Sequence, residues 1–173
     1  MDIKKFASKR IASVIVATAT LFTLNVSARD RDIGVGVFFG EPLGLTAKKW
    51  LDDRTALGGG LSYSFNDYVL VYADYLTHFP AALSSGDSHL SDVTPYVGGG
   101  LVAAFATSDV RGSGRSLNNP NAAAGVGVRI PFGLEWSPRK TRLGVHLEVA
   151  PGLGIVPGVY AYLHGGIGVR YYF

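Results

Sequence analysis

From residue 32 onward the chain alternates apolar residues with small or polar ones at a period of two, in eight segments separated by turn-forming residues. Successive side chains of a β-strand point to opposite faces, so each segment reads as a strand with one apolar face. Segment 32–40 sets Ile33, Val35, Val37 and Phe39 against Gly34, Gly36 and Phe38, and Glu41-Pro42 breaks it. Segment 43–51 sets Leu43, Leu45, Ala47 and Leu51 against Thr46, Lys48 and Trp50, with Lys49 a cation on the apolar face near its end. Segments 55–65 and 68–78 follow, joined by Asn66-Asp67, a hairpin-turn signal. Segment 94–107 places Val97, Leu101 and Phe105 opposite Tyr96, Val102 and Ala104. In segment 121–136, Val126, Val128, Ile130, Phe132, Leu134 and Trp136 oppose Gly125, Gly127, Arg129, Gly133 and Glu135. Segment 141–155 sets Leu143, Val145, Leu147 and Val149 against Arg142, Gly144, His146 and Glu148. Most segments match or exceed the roughly 9–11 residues that a tilted strand needs to cross a bilayer.

The eighth segment, 159–173, alternates Val159, Ala161, Leu163, Gly165, Ile167, Val169, Tyr171 and Phe173 with Tyr160, Tyr162, His164, Gly166, Gly168, Arg170 and Tyr172. It resembles the terminal strand of bacterial outer-membrane β-barrels, in which a final Phe and alternate apolar residues act as the signal for barrel assembly. Gly168, Tyr171 and Phe173 fit that pattern. Across residues 29–173 the chain resembles the small eight-stranded barrels of the OmpA and OmpX type. The stretches 38–44, 148–152 and 166–173 also look like the motifs of a family of outer-membrane barrels whose function is not established. The resemblance implies an all-β, eight-stranded, antiparallel up-and-down transmembrane barrel in the outer membrane. It also implies the barrel-assembly machinery as a partner in biogenesis, and outer-membrane lipids and lipopolysaccharide as surroundings.

Charge and hydropathy agree with such a barrel. Residues 1–28 combine a basic head (Lys4, Lys5, Lys9, Arg10), an apolar run and Val26-Ser27-Ala28, the pattern of a cleaved secretory signal. The domain expected to remain is 29–173. The leader holds four of the sixteen basic and one of the thirteen acidic residues, so the rest of the chain is formally neutral. That neutrality argues against a nucleic-acid partner. No cysteine is present, which excludes disulfides and a lipidated cysteine. Mean hydropathy is positive, yet beyond the leader no segment suits a membrane helix. A closed barrel is the remaining way to span lipid with every backbone group satisfied.

Alternation alone leaves two barrels open. A soluble, lipocalin-like barrel turns its apolar face inward and covers itself with charged residues. Here the polar face consists of Gly, Tyr, Ser and a few charges of both signs, which suits a narrow interior of alternating small and large side chains. Aromatic residues also gather at strand ends (Phe39, Phe65, Trp136, Tyr171, Phe173), as in interfacial girdles.

The expected interior charges are Lys48, Asp74, Arg129, Glu135, Arg142, His146, Glu148 and Arg170. In a bore just wide enough for side chains they should pair and form a plug. A narrow pore is the alternative. A lipid A-modifying enzyme, an acyltransferase or deacylase, is another, since His146 and Glu148 share a face and His78 lies four residues past Asp74. No serine accompanies His146 on its strand, no cluster has metal-ligand spacing, and no cofactor motif is present. Catalytic residues, a metal and a cofactor are therefore not expected, and the reading is a monomeric structural or recognition barrel. Arg111 and Arg115, in the polar loop 108–120, are placed to meet lipopolysaccharide phosphates or an acidic partner. Face parity and the tightest hairpin, centred on Pro138-Arg139, predict that Arg129 faces Glu148 and that Glu135 faces Arg142.

Overall fold

The computed structural model describes residues 32–65, 68–80, 82–83, 92–106, 124–138 and 141–173. The expected leader, the 66–67 turn, and the loop with Arg111 and Arg115 lie outside these residues. Every regular element described is a strand: β1 (Ile33–Glu41), β2 (Leu43–Trp50), β3 (Thr55–Ser64), β4 (Tyr68–His78), β5 (Val93–Ala106), β6 (Ala124–Arg129), β7 (Phe132–Trp136), β8 (Leu143–Val156) and β9 (Tyr160–Tyr172). Strands consecutive in the chain pair antiparallel, β4 with β5 included, except β6 and β7, which both pair with β5 and β8, and β9 closes the ring on β1. The fold is thus an all-β, eight-stranded antiparallel up-and-down barrel. Its sixth strand is divided, since β6 and β7 lie end to end between β5 and β8.

The division falls at Ile130-Pro131. Proline has no N–H to give to a ladder, and its ring here points inward and is fully buried. The flanking bonds continue across the gap, Ile130 N–H donating to Pro151 O at 2.9 Å and Gly98 N–H to Pro131 O at 2.9 Å. Continuous alternation from 121 to 136 predicts one strand, and proline at an inward position interrupts it without displacing it.

The alternating pattern sorts the side chains as the sequence predicts. The outer face is apolar around the whole ring, with Leu101 68% exposed, Leu45 58% and Leu163 66%. The inner face buries Phe38, Leu70, Leu76, Tyr96, Val102 and Tyr172 together with most of the barrel's ionisable groups. Lys49 lies on the outer face, opposite Ile33 and Leu57, near the end of the barrel that holds Phe173.

What lets this bore close is a set of aromatic side chains lying over glycines on the facing strand. Tyr72 faces Gly60, Tyr96 faces Gly133, Tyr162 faces Gly152, Tyr160 faces Gly154, Tyr172 faces Gly34 and His146 faces Gly168. A Cβ built at Gly133 would stand 2.2 Å from Tyr96 Cζ, and one at Gly168 would stand 2.0 Å from His146 Cε1. Glycine leaves the space that the neighbouring side chain fills, so these rings are accommodated without widening the barrel.

The turns at the Phe173 end are short or polar. Asp52 organises the β2–β3 connection: its Oδ1 accepts from Arg54 N–H (2.7 Å) and Thr55 N–H (2.8 Å), and its Oδ2 from the Thr55 hydroxyl (2.5 Å). The Thr55 hydroxyl first, then the two backbone donors, hold the Asp52 carboxyl below the usual carboxylate range.

Gly133→Ala tests the ring-over-glycine packing. The new methyl forces Tyr96 from its position, and overpacking of this kind costs about 1–3 kcal/mol. A urea unfolding midpoint of the refolded barrel equal to that of the wild type would contradict the expectation.

Candidate functional site

Inward-pointing polar residues form two clusters stacked along the bore, and each draws on strands far apart in sequence. At the Phe173 end, β2 contributes Lys48, β4 His78, β7 Glu135 and β9 Tyr172. The Lys48 ammonium donates to Glu135 Oε2 and sits 2.7 Å from His78 Nε2. It also lies 3.8 Å above the Trp50 ring, a cation–π contact. Tyr172 Oη donates to Glu135 Oε1 at 2.5 Å, so both carboxylate oxygens are occupied. Lys48 is 1% exposed and His78 1% exposed, and the Trp50 and Tyr96 rings flank the imidazole with centroids at 4.3 and 5.1 Å.

The second cluster lies deeper. Arg129 of β6 donates through Nη2 to Glu148 Oε1 of β8, and its Nε stands 3.2 Å from Asp74 Oδ1 of β4. Tyr96 Oη donates to Glu148 Oε2 at 2.7 Å, and the guanidinium lies 4.3 Å from the Tyr72 ring centroid. Between the clusters, Arg170 donates through Nε (3.2 Å) and Nη2 (2.8 Å) to Thr46 Oγ1. His146 stacks on Phe38 at 5.7 Å. A charge of either sign taken out of water costs several kcal/mol, and here each cluster sets opposite charges within contact. The lower bore is therefore filled by side chains.

Seven of the eight expected interior charges are where the sequence places them: Lys48, Asp74, Arg129, Glu135, His146, Glu148 and Arg170 are all buried. Arg142 is not. It lies exposed just before β8, and its carbonyl accepts from Tyr172 N–H at 2.7 Å. The predicted register between the sixth strand and β8 is also corrected. Arg129 faces Gly152 rather than Glu148, four residues further along β8, and Glu135 faces His146 rather than Arg142.

The cause is the turn. Proline at the first central position opposes the primed turns that two-residue hairpins need. Pro138 O instead accepts from Thr141 N–H (3.1 Å), and Ser137 N–H bonds Asp92 O of a different connection (3.0 Å). Arg129 still reaches Glu148, diagonally instead of directly across. Glu135 finds Lys48 across the bore, a partner that hairpin arithmetic does not reach.

Of the residues suggested for catalysis, Glu148, Asp74 and His78 are engaged by other groups. Asp74 is engaged with Arg129 and His78 with Lys48, while Ser64 Oγ donates to Glu41. Ser62 Oγ and His146 Nε2 are buried without hydrogen-bond partners among the described residues. Among the described residues no group of three His, Asp or Glu side chains is placed to hold a metal ion. Gly168, Tyr171 and Phe173 lie in and just beyond β9, Gly168 under His146 and the other two rings edge to face at 5.1 Å on the outside of the barrel. Sequence reasoning missed the roles of Thr46, Trp50, Tyr96 and Tyr172. Their inward parity was the available signal, but nothing local to any of them names a partner.

A family model described as "Protein of unknown function (DUF3996)" matches residues 4–170. The fold is similar to the crystal structure of the N-terminal β-barrel domain of Pseudomonas aeruginosa OprF. The TM-score is 0.57 at 18% identity, covering 84% of this chain and 100% of that domain. No curated protein matches the sequence.

The Arg129–Glu148 pair should be strongly coupled. Removing one partner of a desolvated pair costs roughly 3–5 kcal/mol, so Arg129→Ala and Glu148→Ala each destabilise the barrel by about that much. The double variant should cost less than the two together. An additive double-mutant cycle, read from urea unfolding of the refolded protein, would show that the two groups do not interact.

Proposed function

The chain belongs to the DUF3996 family, whose function is not established, and we propose that it is an integral outer-membrane barrel with a structural or surface-recognition role and a bore plugged by side chains. The observation that carries this reading is the outer surface. Large apolar side chains, Leu45, Leu61, Val71, Leu101, Phe132, Leu147, Leu153 and Leu163 among them, are about half exposed or more on strands all around the ring. A soluble protein rarely exposes contiguous apolar patches beyond a few hundred Å², whereas lipid is the solvent that such a surface fits. The charges are all but confined to the interior and the strand ends, which is the opposite of the soluble barrel's arrangement.

Residues 1–28 then serve as the export signal and 29–173 as the barrel. Gly168, Tyr171 and Phe173 present the assembly signal to the barrel-assembly machinery. Lipopolysaccharide and the other outer-membrane lipids surround a monomer. The filled lower bore, with Lys48, His78, Glu135 and Tyr172 in mutual contact, supports a plug in preference to an open channel.

Arginine at the middle of a lipid-facing strand costs about 2–4 kcal/mol and less near the interfaces, so Val128→Arg should reduce insertion into vesicles, and Val145→Arg, level with Trp136 near the Phe173 end, should reduce it less. Insertion equal to the wild type, together with recovery in the soluble fraction for all three proteins, would sink the membrane reading. In planar bilayers the pure refolded barrel should give no stable single-channel steps. Reproducible steps that change when Glu135 is replaced by Gln would replace the plug with a pore.

A further inference from the structure

The bore is not filled to its other end. Above Arg129 the described residues leave a cavity of about 230 Å³, at the end where β1 finishes and β4 and β9 begin. Its two walls differ. On one side Tyr160, Tyr162 and His164 run up the inner face of β9, with ring centroids at 6.1 Å and 4.6 Å along the series. The two tyrosines lie over Gly154 and Gly152. Glycine beneath them lets the rings settle toward the barrel wall; both still touch the opposite side, and the slot is the space left beside that contact.

The facing wall is aliphatic, built from Leu70, Val102 and Ala104, with Tyr68 beside them. Glu41 stands at the rim, its carboxylate accepting from the Ser64 hydroxyl and from Phe65 N–H (3.3 Å). An ionised carboxylate has about four acceptor positions, so capacity remains.

Two features mark the cavity as more than a packing defect. An empty apolar cavity of about 150 Å³ is enough to hold benzene, and this one is larger. His164 is a polar side chain only 5% exposed, it lines the cavity, and its Nδ1 has no hydrogen-bond partner among the described residues. His78 Nδ1 and His146 Nε2 also lack partners among the described residues, but of these atoms only His164 Nδ1 borders the cavity. Tyr162 Oη, by contrast, is satisfied by Val128 O at 2.9 Å, so that ring offers its face and not its hydroxyl.

We propose that this cavity is a binding site for a small aromatic amine of one or two rings. The planar ring occupies the space lined by the Tyr160 and Tyr162 rings and by Leu70, Val102 and Ala104, a polar ring atom meets His164, and the protonated amine meets the Glu41 carboxylate. Offset aromatic contact favours a flat ring over an alkyl chain on the tyrosine wall. Tyrosine faces also attract a cation. Beneath the site Arg129 is already matched by Asp74 and Glu148, so no unpaired positive charge opposes the amine.

The probe is tryptamine, titrated calorimetrically into the full chain refolded in nanodiscs, with indole and hexylamine as comparators. A fragment of this size should bind with a Kd of roughly millimolar or tighter. Ala104→Leu, which fills the slot, should weaken tryptamine at least tenfold, and Val102→Phe is a second filling variant should the first not fold. Glu41→Gln should weaken tryptamine at least tenfold and leave indole unchanged, while His164→Leu should weaken both. No saturable tryptamine binding, or binding unchanged in a folded slot-filling variant, overturns the site. Hexylamine bound as tightly as tryptamine overturns the aromatic assignment, and tryptamine indifferent to Glu41→Gln overturns the cationic one.

Discussion

An eight-stranded ring is only wide enough for the side chains that point into it, and that narrowness governs the rest of this molecule. A charge pointing inward cannot be hydrated, so it has to meet its opposite within the width of the bore. Lys48 meets Glu135 from strands on opposite sides of the ring, and Arg129 gathers Asp74 and Glu148. The same narrowness explains the glycines. Tyr96 can bond Glu148 because Gly133 has no side chain in its way, and His146 fits because Gly168 faces it. Composition that looks like low information in the sequence, glycine after glycine, is the complement of the aromatic side chains.

The architecture was legible in the sequence because a β-strand has a two-residue period and one face must be apolar. The parity of Val126, Val128, Ile130, Phe132 and Leu134 settles which side of the sixth strand Arg129 and Glu135 occupy. The inward position of seven of the eight proposed charges follows from the same rule. Parity fixes a face and leaves the register free to slip by two. The slip of four at the Pro138 turn came from connections that a hairpin read by itself does not contain: Ser137 is bonded to the β4–β5 connection, and Glu135 is drawn toward Lys48, 87 residues away in the chain. Arg142 fell outside the bore for the same reason, because the longer turn leaves it beyond the last facing pair.

The candidate site divides along similar lines. Which residues face inward can be read locally; which of them touch cannot, since each contact joins strands from distant parts of the chain. His164 is inward by parity like His78 and His146, but only the closed ring shows His78 wedged between Trp50 and Tyr96 and His164 facing open space. The lower bore sets its charges against one another in a filled interior, whereas the unpartnered His164 nitrogen of the upper bore borders a cavity, and that asymmetry separates a structural filling from a place where something else can bind.

The seam between β1 and β9 carries a consequence for how the molecule is made. Gly34 bonds alongside Tyr172, so the two strands that seal the ring are separated by nearly the whole barrel sequence. The entropy of bringing such distant segments together is spent before any of their contacts form, and folds dominated by distant pairings form slowly. Until β9 has emerged and docked, β1 and β8 are both bare edges able to template pairing with another chain. A chain cut short before β9 leaves both edges bare and open to pairing with another chain.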